Sequence, residues 1–371
     1  MKVALIGPTY PFRGGIAHHT TLLYETISKN HETLFISFTR QYPDFLFPGK
    51  SDKDPSHSPY KTEKVIYLID SINPFTWEKA VKKIRTFNPD KIIFPWWVAY
   101  FAPLFWYITN RLKKSIKCEI VIICHNVLEH DSGMLSKFIS KLFLPKGDRL
   151  ITHSISDSIK IRQITGANKN VMTLFHPTYA PLCDIKISRE KARDQLGLSG
   201  NLLLFFGFIR PYKGLSVLLS AMKYIIEKKP VHLIIAGEFW HDKKKYLAKI
   251  NKMGLSNYIT IIDEYIPNEN MDLFFSAVDL VVQPYLTASG SGVCQMAYGF
   301  GCPVIATSVG NLSEIIEDGI NGRIVAPDNI KELSEAILES LEPEILHKLT
   351  QNAKIGKNKF LWDDLVKNIM R

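Results

Sequence analysis

Short aliphatic runs alternate with amphipathic helical patterns along most of this chain, and few folds are compatible with that alternation. Strand-like runs separated by helical segments predict parallel strands joined by crossover helices. In the first half the predicted strands are Val3–Ile6, Thr33–Ser37, Lys91–Phe94, Ile120–Cys124 and Arg149–Thr152. In the second half they are Leu202–Phe206, His232–Ile235, Ile259–Ile262, Leu280–Gln283, Val304–Ala306 and Gly322–Val325. The sequence therefore predicts an α/β protein with two doubly wound, Rossmann-like sheets.

The alternation is interrupted at Leu174–Arg189, a proline-containing segment without periodicity. A chain of 371 residues, 46% of them apolar, is long enough to bury two separate cores. We predict a first domain at residues 1–175, a linker at 176–190 and a second domain at 191–355. Residues 356–371 are expected to form a helix that packs back on the first domain. Two such domains are expected to face each other across a cleft, because open α/β sheets bind ligands at their carboxyl edges.

All of the net positive charge lies in the first half of the chain. Residues 1–170 carry 24 Lys+Arg and 14 Asp+Glu, whereas residues 171–371 carry 22 of each, and the whole chain stands at +10. A basic domain indicates an anionic partner such as an acidic lipid surface or a pyrophosphate-bearing acceptor, although a solvated lysine-rich surface has the same composition. No nucleic-acid motif accompanies the charge, so nucleic acid is not expected as a partner.

Several features bear on compartment and membrane. The five cysteines are scattered without a C-x-x-C pair, which argues against a zinc site or a disulfide framework and favours a reducing compartment. The opening MKVALIG is too short for a secretory leader. The apolar stretch Ile92–Ile108 contains two prolines and is shorter than a bilayer span, so it is interpreted as a strand, a turn and an aromatic helix. We expect a cytoplasmic protein with peripheral contact to the inner face of the membrane through the basic first domain, near Trp96, Trp97 and Trp106.

Two motifs in the first half follow predicted strands. PFRGGIA, Pro11–Ala17, places Gly14 and Gly15 at a strand-to-helix turn, where backbone N–H groups can approach a ligand; an ordinary glycine turn has the same sequence. CHN, Cys124–Asn126, places His125 at a strand end, where an imidazole can contact a substrate or serve a structural role. Neither a G-x-G-x-x-G fingerprint nor a Walker sequence is present, which disfavours a dinucleotide-dependent dehydrogenase or a P-loop kinase.

Two motifs in the second half predict an anion site. In FFGFIRPYKG, Phe205–Gly214, a buried strand runs into a glycine turn with Arg210 and Lys213 before a helix, an arrangement suited to a diphosphate. In TASGSGVCQMAYGFGCPVIAT, Thr287–Thr307, small residues precede a helix predicted to begin near Val293, so that their amides form an anion-binding nest.

At these motifs the chain resembles glycosyltransferase family four, the retaining GT-B enzymes that use nucleotide sugars. The resemblance rests on the ordered set Gly14–Gly15, His125, GFIRPYKG, IIAGE (Ile234–Glu238), Tyr265–Tyr285 and Gly301–Val325, and it covers nearly the whole chain. It implies a GT-B fold, an acceptor-binding first domain and a donor-binding second domain. It also implies that no cofactor and no catalytic metal are needed, because two cations take the role that a divalent ion plays elsewhere.

The resemblance also implies roles for individual residues. Gly14 and Gly15 would face acceptor and donor phosphate, and His125 would touch the transferred sugar. Arg210 and Lys213 would hold the donor diphosphate and stabilise the leaving group. The remaining residues expected around the donor are Gly207, Glu238, Tyr265, Ile266, Ser289, Gly290, Ser291, Gly292, Val293 and Gln295.

Two departures from the family pattern separate this chain from most members. The arginine follows Gly207 by three positions instead of one. The paired glutamates are absent, since their positions fall on Ala288 and Met296, and the adjacent Gln295 is expected to replace the ribose contact. The predicted function is sugar transfer with retention to a glycan or lipid-linked acceptor, as a hexosyltransferase of cell-surface polysaccharide biosynthesis. The alternatives are a non-catalytic GT-B binding or assembly protein and a nucleotide-sugar epimerase on the same fold.

Overall fold

A computed structural model describes residues 1–43, 46, 49–126, 134–183, 185–356 and 360–371. The strands in this part of the chain are β1 (Lys2–Ile6), β2 (Glu32–Arg40), β3 (Val65–Asp70), β4 (Lys91–Trp96), β5 (Glu119–Cys124), β6 (Arg149–Thr152), β7 (Asn170–Thr173), β8 (Asn201–Phe206), β9 (Val231–Ala236), β10 (Ile259–Ile262), β11 (Leu280–Gln283), β12 (Val304–Thr307) and β13 (Gly322–Val325). The helices are α1 (Gly15–Ser28), α2 (Pro74–Phe87), α3 (Ala102–Lys113), α4 (Met134–Phe143), α5 (Ile155–Thr165), α6 (Arg189–Leu196), α7 (Leu215–Lys228), α8 (Lys243–Lys252), α9 (Met271–Ala277), α10 (Gly292–Gly299), α11 (Leu312–Ile315), α12 (Ile330–Ser340), α13 (Pro343–Gly356) and α14 (Trp362–Met370).

The chain divides into two compact units. The first comprises Met1–Asp54, Pro59–His176 and Trp362–Arg371, and the second comprises Pro55–Ser58 and Pro177–Leu361. The second unit therefore includes most of the segment that the sequence analysis treats as a linker, while α14 is part of the first unit. Asp184, within that segment, lies outside the described residues.

The first unit is built on a parallel sheet with strand order β3-β2-β1-β4-β5-β6-β7. The chain moves outward from β1 in one direction and then returns to place β4 on the other side of β1. This reversal is a topological switch point, and the carboxyl ends of the strands beside it are the usual place for ligands in open α/β sheets. The loop that leads into α1 begins there, and His125 follows β5, the second strand beyond it.

The second unit repeats the same principle with strand order β10-β9-β8-β11-β12-β13, again parallel throughout. Its switch point lies between β8 and β11. The loops that leave these two strands carry Gly207–Lys213 and the small residues before α10. Both units are thus doubly wound and Rossmann-like, as the alternating pattern predicts.

All eleven predicted strands are present, and two more were missed. The missed strands, β3 and β7, are the two edge strands of the seven-stranded sheet in the first unit. Edge strands pair on one side and stay partly exposed, so their apolar signal is weak; in β3 only Ile69 is fully buried. The apolar stretch at 92–108 forms β4, a short turn and the start of α3, as predicted.

The C-terminal helix α14 is fastened to the sheet of the first unit through Arg149. The guanidinium group of Arg149 donates to the backbone oxygens of Asn368 and Ile369 at 3.2 Å each, and it pairs with Glu119 at 2.6 Å. A cation at the carbonyl end of a helix satisfies acceptors that have no partner within the helix and complements the helix dipole. The buried face of α14 carries Trp362, whose ring lies beside His19 of α1.

Candidate functional site

Gly207 ends β8 in a backbone conformation that favours glycine, with φ of +90°. The next two residues continue along β9 because the Ile209 N–H donates to the Glu238 oxygen at 2.9 Å and Ile209 forms a bridge with Phe239. This two-residue extension explains why the arginine stands at position 210 and not beside the glycine. A Cβ on Gly207 would lie 3.2 Å from Lys213 Nζ and 3.3 Å from Val293 Cγ2, so the three residues meet at one point.

Gly214 brings the β8 loop against the end of β11. Its φ is +71°, and a Cβ at this position would overlap the carbonyl oxygen of Pro284. The backbone N–H of Leu286 donates to the Tyr212 oxygen at 2.7 Å, which joins the two loops a second time. Only glycine permits so close an approach in this conformation. The two loops at the switch point therefore form one surface.

Lys213 is the buried cation of this surface. Its ammonium nitrogen lies 5.7 Å from the centroid of the Tyr285 ring and beside Gly207. Burial, with a smaller contribution from the Arg210 guanidinium, lowers the pKa of Lys213 to about 7. A lysine held close to its neutral form will regain its charge when an anion binds beside it, because a nearby negative charge favours the protonated form.

Arg210 is placed by aromatic rings. Its guanidinium carbon lies 5.1 Å from the centroid of Tyr212 and 5.5 Å from that of Trp240, within the range of cation–π attraction. Phe208 continues the aromatic wall, with ring centroids 4.5 Å from Trp240 and 6.1 Å from Tyr265. The structure thus brings Tyr265 close to the loop that carries Arg210, and adjacent Ile266 is buried.

Helix α10 begins at the same surface, with Ser291 as its N-cap. The Ser291 hydroxyl accepts from the Cys294 N–H at 3.2 Å and lies 3.4 Å from the Tyr285 hydroxyl. Gly290 is packed so tightly that a Cβ would stand 2.8 Å from Asn311 Nδ2, and the Asn311 N–H donates to the Ser289 oxygen at 3.0 Å. The amides that open α10, at Gly292 and Val293, are therefore held in a fixed loop at the positive end of a helix dipole.

Two further residues that the sequence predicts at the donor site, Glu238 and Gln295, are buried. Glu238 lies two residues after β9, and its backbone oxygen accepts the hydrogen bond from the Ile209 N–H. Gln295 lies in the first turns of α10 and is 1% exposed; within the described residues neither its amide nitrogen nor its amide oxygen has a hydrogen-bond partner. An unpaired buried amide is costly, so such a group is usually completed by a ligand or water.

In the first unit, Gly14 is the N-cap of α1 with φ of +102°, and Gly15 is the first residue of the helix. A Cβ on Gly14 would have no heavy atom within 4 Å, so there is open space at this position and glycine is favoured only by the positive φ of the backbone. The predicted strand-to-helix turn is present, and it precedes His19 by one helical turn.

His125 lies in a cluster of four histidines. The His19 ring centroid is 4.4 Å from that of His125, 5.5 Å from that of His153 and 4.9 Å from that of His176. His153 directly follows β6, and His176 lies three residues beyond β7. Each of these three histidines therefore leaves the carboxyl end of a different neighbouring strand, and α1 adds the fourth.

Burial lowers the pKa of three histidines of this cluster, His19, His125 and His153. It holds the pKa of His19 and of His125 well below the usual value, with further lowering from neighbouring histidines, and it brings the pKa of His153 to about 4. The three imidazoles are therefore neutral at pH 7. The first unit thus offers neutral nitrogen atoms at its carboxyl edge, whereas the second unit offers two cations and a helix N-terminus.

Sequence reasoning selected His125 and missed the residues around it. The rule that a polar residue directly after a strand points to the functional edge applies equally to His153, and applying it throughout would have found that residue. His19 carries no such signal, because it lies inside a helix. In the second unit the aromatic residues Tyr212, Trp240 and Tyr285 were likewise missed; each lies within a few residues of a strand end.

Residues 200–343 match the family of Glycosyl transferases group 1. This match covers β8 to α12 of the second unit and includes the loops that meet at Gly207, Lys213 and Val293.

The most similar proteins include one curated relative and two solved structures. The D-inositol 3-phosphate glycosyltransferase of Gordonia bronchialis is 27% identical over 233 residues, which cover 60% of this chain and 51% of that protein, so the aligned region spans about half the length of the relative. Sucrose-phosphate synthase from Thermosynechococcus elongatus is 18% identical, with a TM-score of 0.77 over 99% of this chain and 97% of the other. HepE from Anabaena, solved with UDP-glucose, is 16% identical, with a TM-score of 0.76 over 99% of both chains. The chain has the GT-B fold.

The membrane expectation needs one correction. Trp96 and Trp97 are buried in the core of the first unit, where Trp96 stacks on Phe143 at 5.0 Å, so neither can touch a lipid surface; only Trp106 of the three is exposed, at 49%. In the part of the chain that the structure describes, no helix combines the length and apolarity needed to cross a bilayer.

Proposed function

We propose that this protein transfers a sugar from a nucleoside diphosphate sugar to a glycan or lipid-linked acceptor. The observation that carries the proposal is the meeting of Lys213, Gly207 and Val293 at the switch point of the second unit. A buried lysine beside the first amides of a helix offers charge and donors to one diphosphate, and these interactions are strongest away from water. The family match to residues 200–343 covers this surface, and HepE, of the same fold, binds UDP-glucose.

The proposed roles follow the charge of each group. Lys213 and Arg210 bind the diphosphate and stabilise the charge that develops on it as the sugar leaves. The amides at Ser291, Gly292 and Val293 bind a phosphate oxygen. His125, in the first unit, donates a hydrogen bond to the transferred sugar.

Gln295 is proposed to contact the ribose. Its amide is buried and has no partner among the described residues, and it can donate to one hydroxyl and accept from another. A glutamate at this place could only accept. The chain therefore keeps a polar group where the family glutamate is lost, one position away from Met296.

We further propose that transfer proceeds with retention and without a divalent ion at the diphosphate. Retention by double displacement would require a carboxylate nucleophile, and the two glutamate positions of the family hold Ala288 and Met296. The route proposed instead is attack of the acceptor hydroxyl on the face from which the diphosphate departs, with proximity and charge stabilisation supplying the rate. The acceptor is proposed to belong to cell-surface polysaccharide synthesis.

The test is ligand-dependent stabilisation followed by product analysis. Purified protein is heated with UDP, GDP, ADP or CMP and with their common sugar conjugates, with and without magnesium. A ligand at about 100 times its Kd should contribute about 2.7 kcal/mol, a rise of several degrees in Tm. Stabilisation by one nucleotide family that disappears in Lys213→Ala supports the donor site. No stabilisation by any nucleotide would favour a non-catalytic binding or assembly protein.

The stabilising sugar conjugate is then incubated with and without candidate acceptors, and the products are analysed by mass spectrometry and NMR. A new glycosidic bond with the anomeric configuration of the donor supports transfer with retention. Conversion of the donor sugar to an epimer without any acceptor would replace transferase by epimerase.

A second proposal concerns the membrane. On α4 the side chains of Phe138 and Leu142 are 58% and 56% exposed, and they stand four residues apart beside exposed Lys137 and Lys141. Residues four apart share one face of a helix, so this face is both apolar and basic. Together with the positive first half of the chain, it favours peripheral binding to an anionic bilayer.

Co-sedimentation with vesicles tests the membrane proposal. The double variant Phe138→Glu/Leu142→Glu should bind anionic vesicles more weakly, whereas Tyr224→Glu, which alters an exposed aromatic residue of the second unit, should bind like the natural protein. Equal binding to anionic and neutral vesicles, insensitive to salt, would contradict the electrostatic part of the proposal.

A further inference from the structure

The histidine cluster of the first unit places several ring nitrogen atoms close together. His19, His125 and His153 each offer one ring nitrogen, and these three atoms all lie within 4.8 Å of one another. These residues come from α1, from the end of β5 and from the end of β6, so three elements converge on one place.

His19 shows that the cluster is incomplete as a hydrogen-bonded network. This residue is 1% exposed, and within the described residues neither Nδ1 nor Nε2 has a hydrogen-bond partner. Its neighbours are aromatic: the Trp362 ring centroid lies 4.9 Å away on one side and the His125 ring 4.4 Å away on another. A buried imidazole normally pairs at least one nitrogen, so His19 has a ring lone pair available to a ligand.

His153 is oriented as a metal ligand would be. Its Nδ1 lies 2.8 Å from the backbone oxygen of Leu174. Because a carbonyl oxygen can only accept, Nδ1 carries the proton and Nε2 carries the lone pair. A histidine whose one ring N–H donates to a backbone carbonyl, while the other nitrogen keeps its lone pair, has the usual arrangement of a metal-coordinating imidazole.

We propose that His19, His125 and His153 bind a divalent transition-metal ion, for which Zn²⁺ is the best match. Zinc prefers imidazole nitrogen at about 2.0–2.1 Å, and a tetrahedral set then has nitrogens about 3.4 Å apart. The three ligand atoms already lie within 4.8 Å of one another, so coordination requires them to move closer together. Magnesium and calcium prefer oxygen ligands and do not fit an all-histidine set.

The fourth coordination position has two candidate occupants. His176, whose ring centroid lies 4.9 Å from that of His19 and 5.1 Å from that of His153, is one of the two, and a water molecule is the other. The site would tie α1 to the ends of two strands. If His125 coordinates through the buried Nε2, its Nδ1 is left protonated and can donate to a sugar oxygen; this last consequence alone rests on the proposed function.

Zinc binding by the full-length chain tests the proposal without reference to activity. Protein stripped with a chelator is titrated with Zn²⁺ against a chromophoric competitor, and bound metal is measured by elemental analysis. We expect one Zn²⁺ per chain, and Co²⁺ in its place should give the visible absorption of a tetrahedral nitrogen site. The variants His19→Gln and His153→Gln should each bind Zn²⁺ at least 100-fold more weakly, since even supporting residues are worth 10–100-fold.

His241→Gln is the matched control, because His241 is exposed and belongs to the second unit; it should bind Zn²⁺ like the natural protein. Circular dichroism of the metal-free forms shows whether each variant is folded, and His125→Gln, at a half-buried position, replaces any that is not. The proposal is overturned if the natural protein takes up no stoichiometric Zn²⁺, or if the histidine variants bind it as well as His241→Gln. UDP stabilisation is measured on the same samples, so that loss of zinc binding and failure of the donor site are told apart.

Discussion

The two units have the same doubly wound topology but opposite chemistry at their carboxyl edges. The first places neutral imidazoles after β5 and β6, whereas the second places Lys213 and Arg210 between β8 and α7 and opens α10 beside them. Neutral nitrogen atoms suit hydroxyl groups and transition metals, and cations beside helix amides suit phosphate. The shared topology therefore determines only where a site forms, and the residues that follow each strand determine which ligand it binds.

The largest effect is expected for the buried cation of the second unit. Lys213→Ala should lower turnover by about 100- to 1,000-fold, in the range seen when one preorganised transition-state donor is removed, because among the described residues Lys213 supplies the charge beside Gly207. Steady-state kinetics with the donor identified by thermal stabilisation measure the loss.

Lys223→Ala serves as the control, since Lys223 is exposed on α7, and it should be fully active. Near-normal turnover in Lys213→Ala, with an unchanged circular dichroism spectrum, would remove the diphosphate role and with it the proposed contrast between the units.

Glycine substitutions compare the two turns directly. Gly214→Ala combines a left-handed backbone with overlap of the Pro284 oxygen, so it should lower the free energy of unfolding by roughly 3 kcal/mol or more. Gly14→Ala meets open space and should cost only about 1–2 kcal/mol, the cost of the backbone conformation. Urea unfolding measures both, and equal losses would show that the contact with Pro284 does not matter.

The pH dependence of donor binding follows from Lys213. Its pKa is about 7 in the folded protein and near 10.5 in an unfolded chain, so above pH 7 the free site loses the charge that binds the diphosphate. The Kd for the nucleotide should therefore rise by up to about tenfold per pH unit between pH 7 and 9, with proton uptake on binding.

Titration calorimetry in buffers of different ionisation enthalpy measures this uptake. Lys213→Arg, whose guanidinium stays charged, should bind without that pH dependence. The sign for stability is opposite to that for binding: between the two pKa values the unfolded chain holds the extra proton, so the free energy of unfolding of the free protein should increase with pH there. A Kd that is constant from pH 7 to 9 in the natural protein would contradict a half-neutral Lys213.

Much of this contrast could be predicted from local sequence, and its limits have a physical cause. Eleven strands and the loop from Gly207 to Gly214 were recognised, because a buried strand, a glycine and a helix start are encoded within about ten residues. Where two backbone segments approach closely, as Gly214 and Pro284 do, the position requires a glycine, and that glycine is visible in the sequence.

The histidine cluster could not be predicted in the same way. Its members lie at positions 19, 125, 153 and 176, and they meet only because β5, β6 and β7 are neighbours in the sheet and α1 packs at their ends. The scattered cysteines pointed away from a zinc site, but that argument covers thiolate ligands and says nothing about imidazoles from separate strands. The edge strands β3 and β7 were missed for a related reason, since their identity depends on pairing more than on composition.

The smallest expected effect is that of magnesium on nucleotide binding. It tests whether the second unit binds the diphosphate through its own cations, while the first unit carries the histidine group. In the described part of the chain, the only group of histidine, cysteine or acidic side chains close enough to share a metal is His19, His125 and His153 of the first unit, which does not suit a cation that prefers oxygen. The second unit offers Lys213 and Arg210 to the diphosphate instead. Magnesium in place of a chelator should thus change the nucleotide Kd by less than about twofold, because the two cations already supply the positive charge. Calorimetric titrations with each additive measure the ratio, and a requirement for magnesium would mean that the diphosphate is held through an ion and not by Lys213.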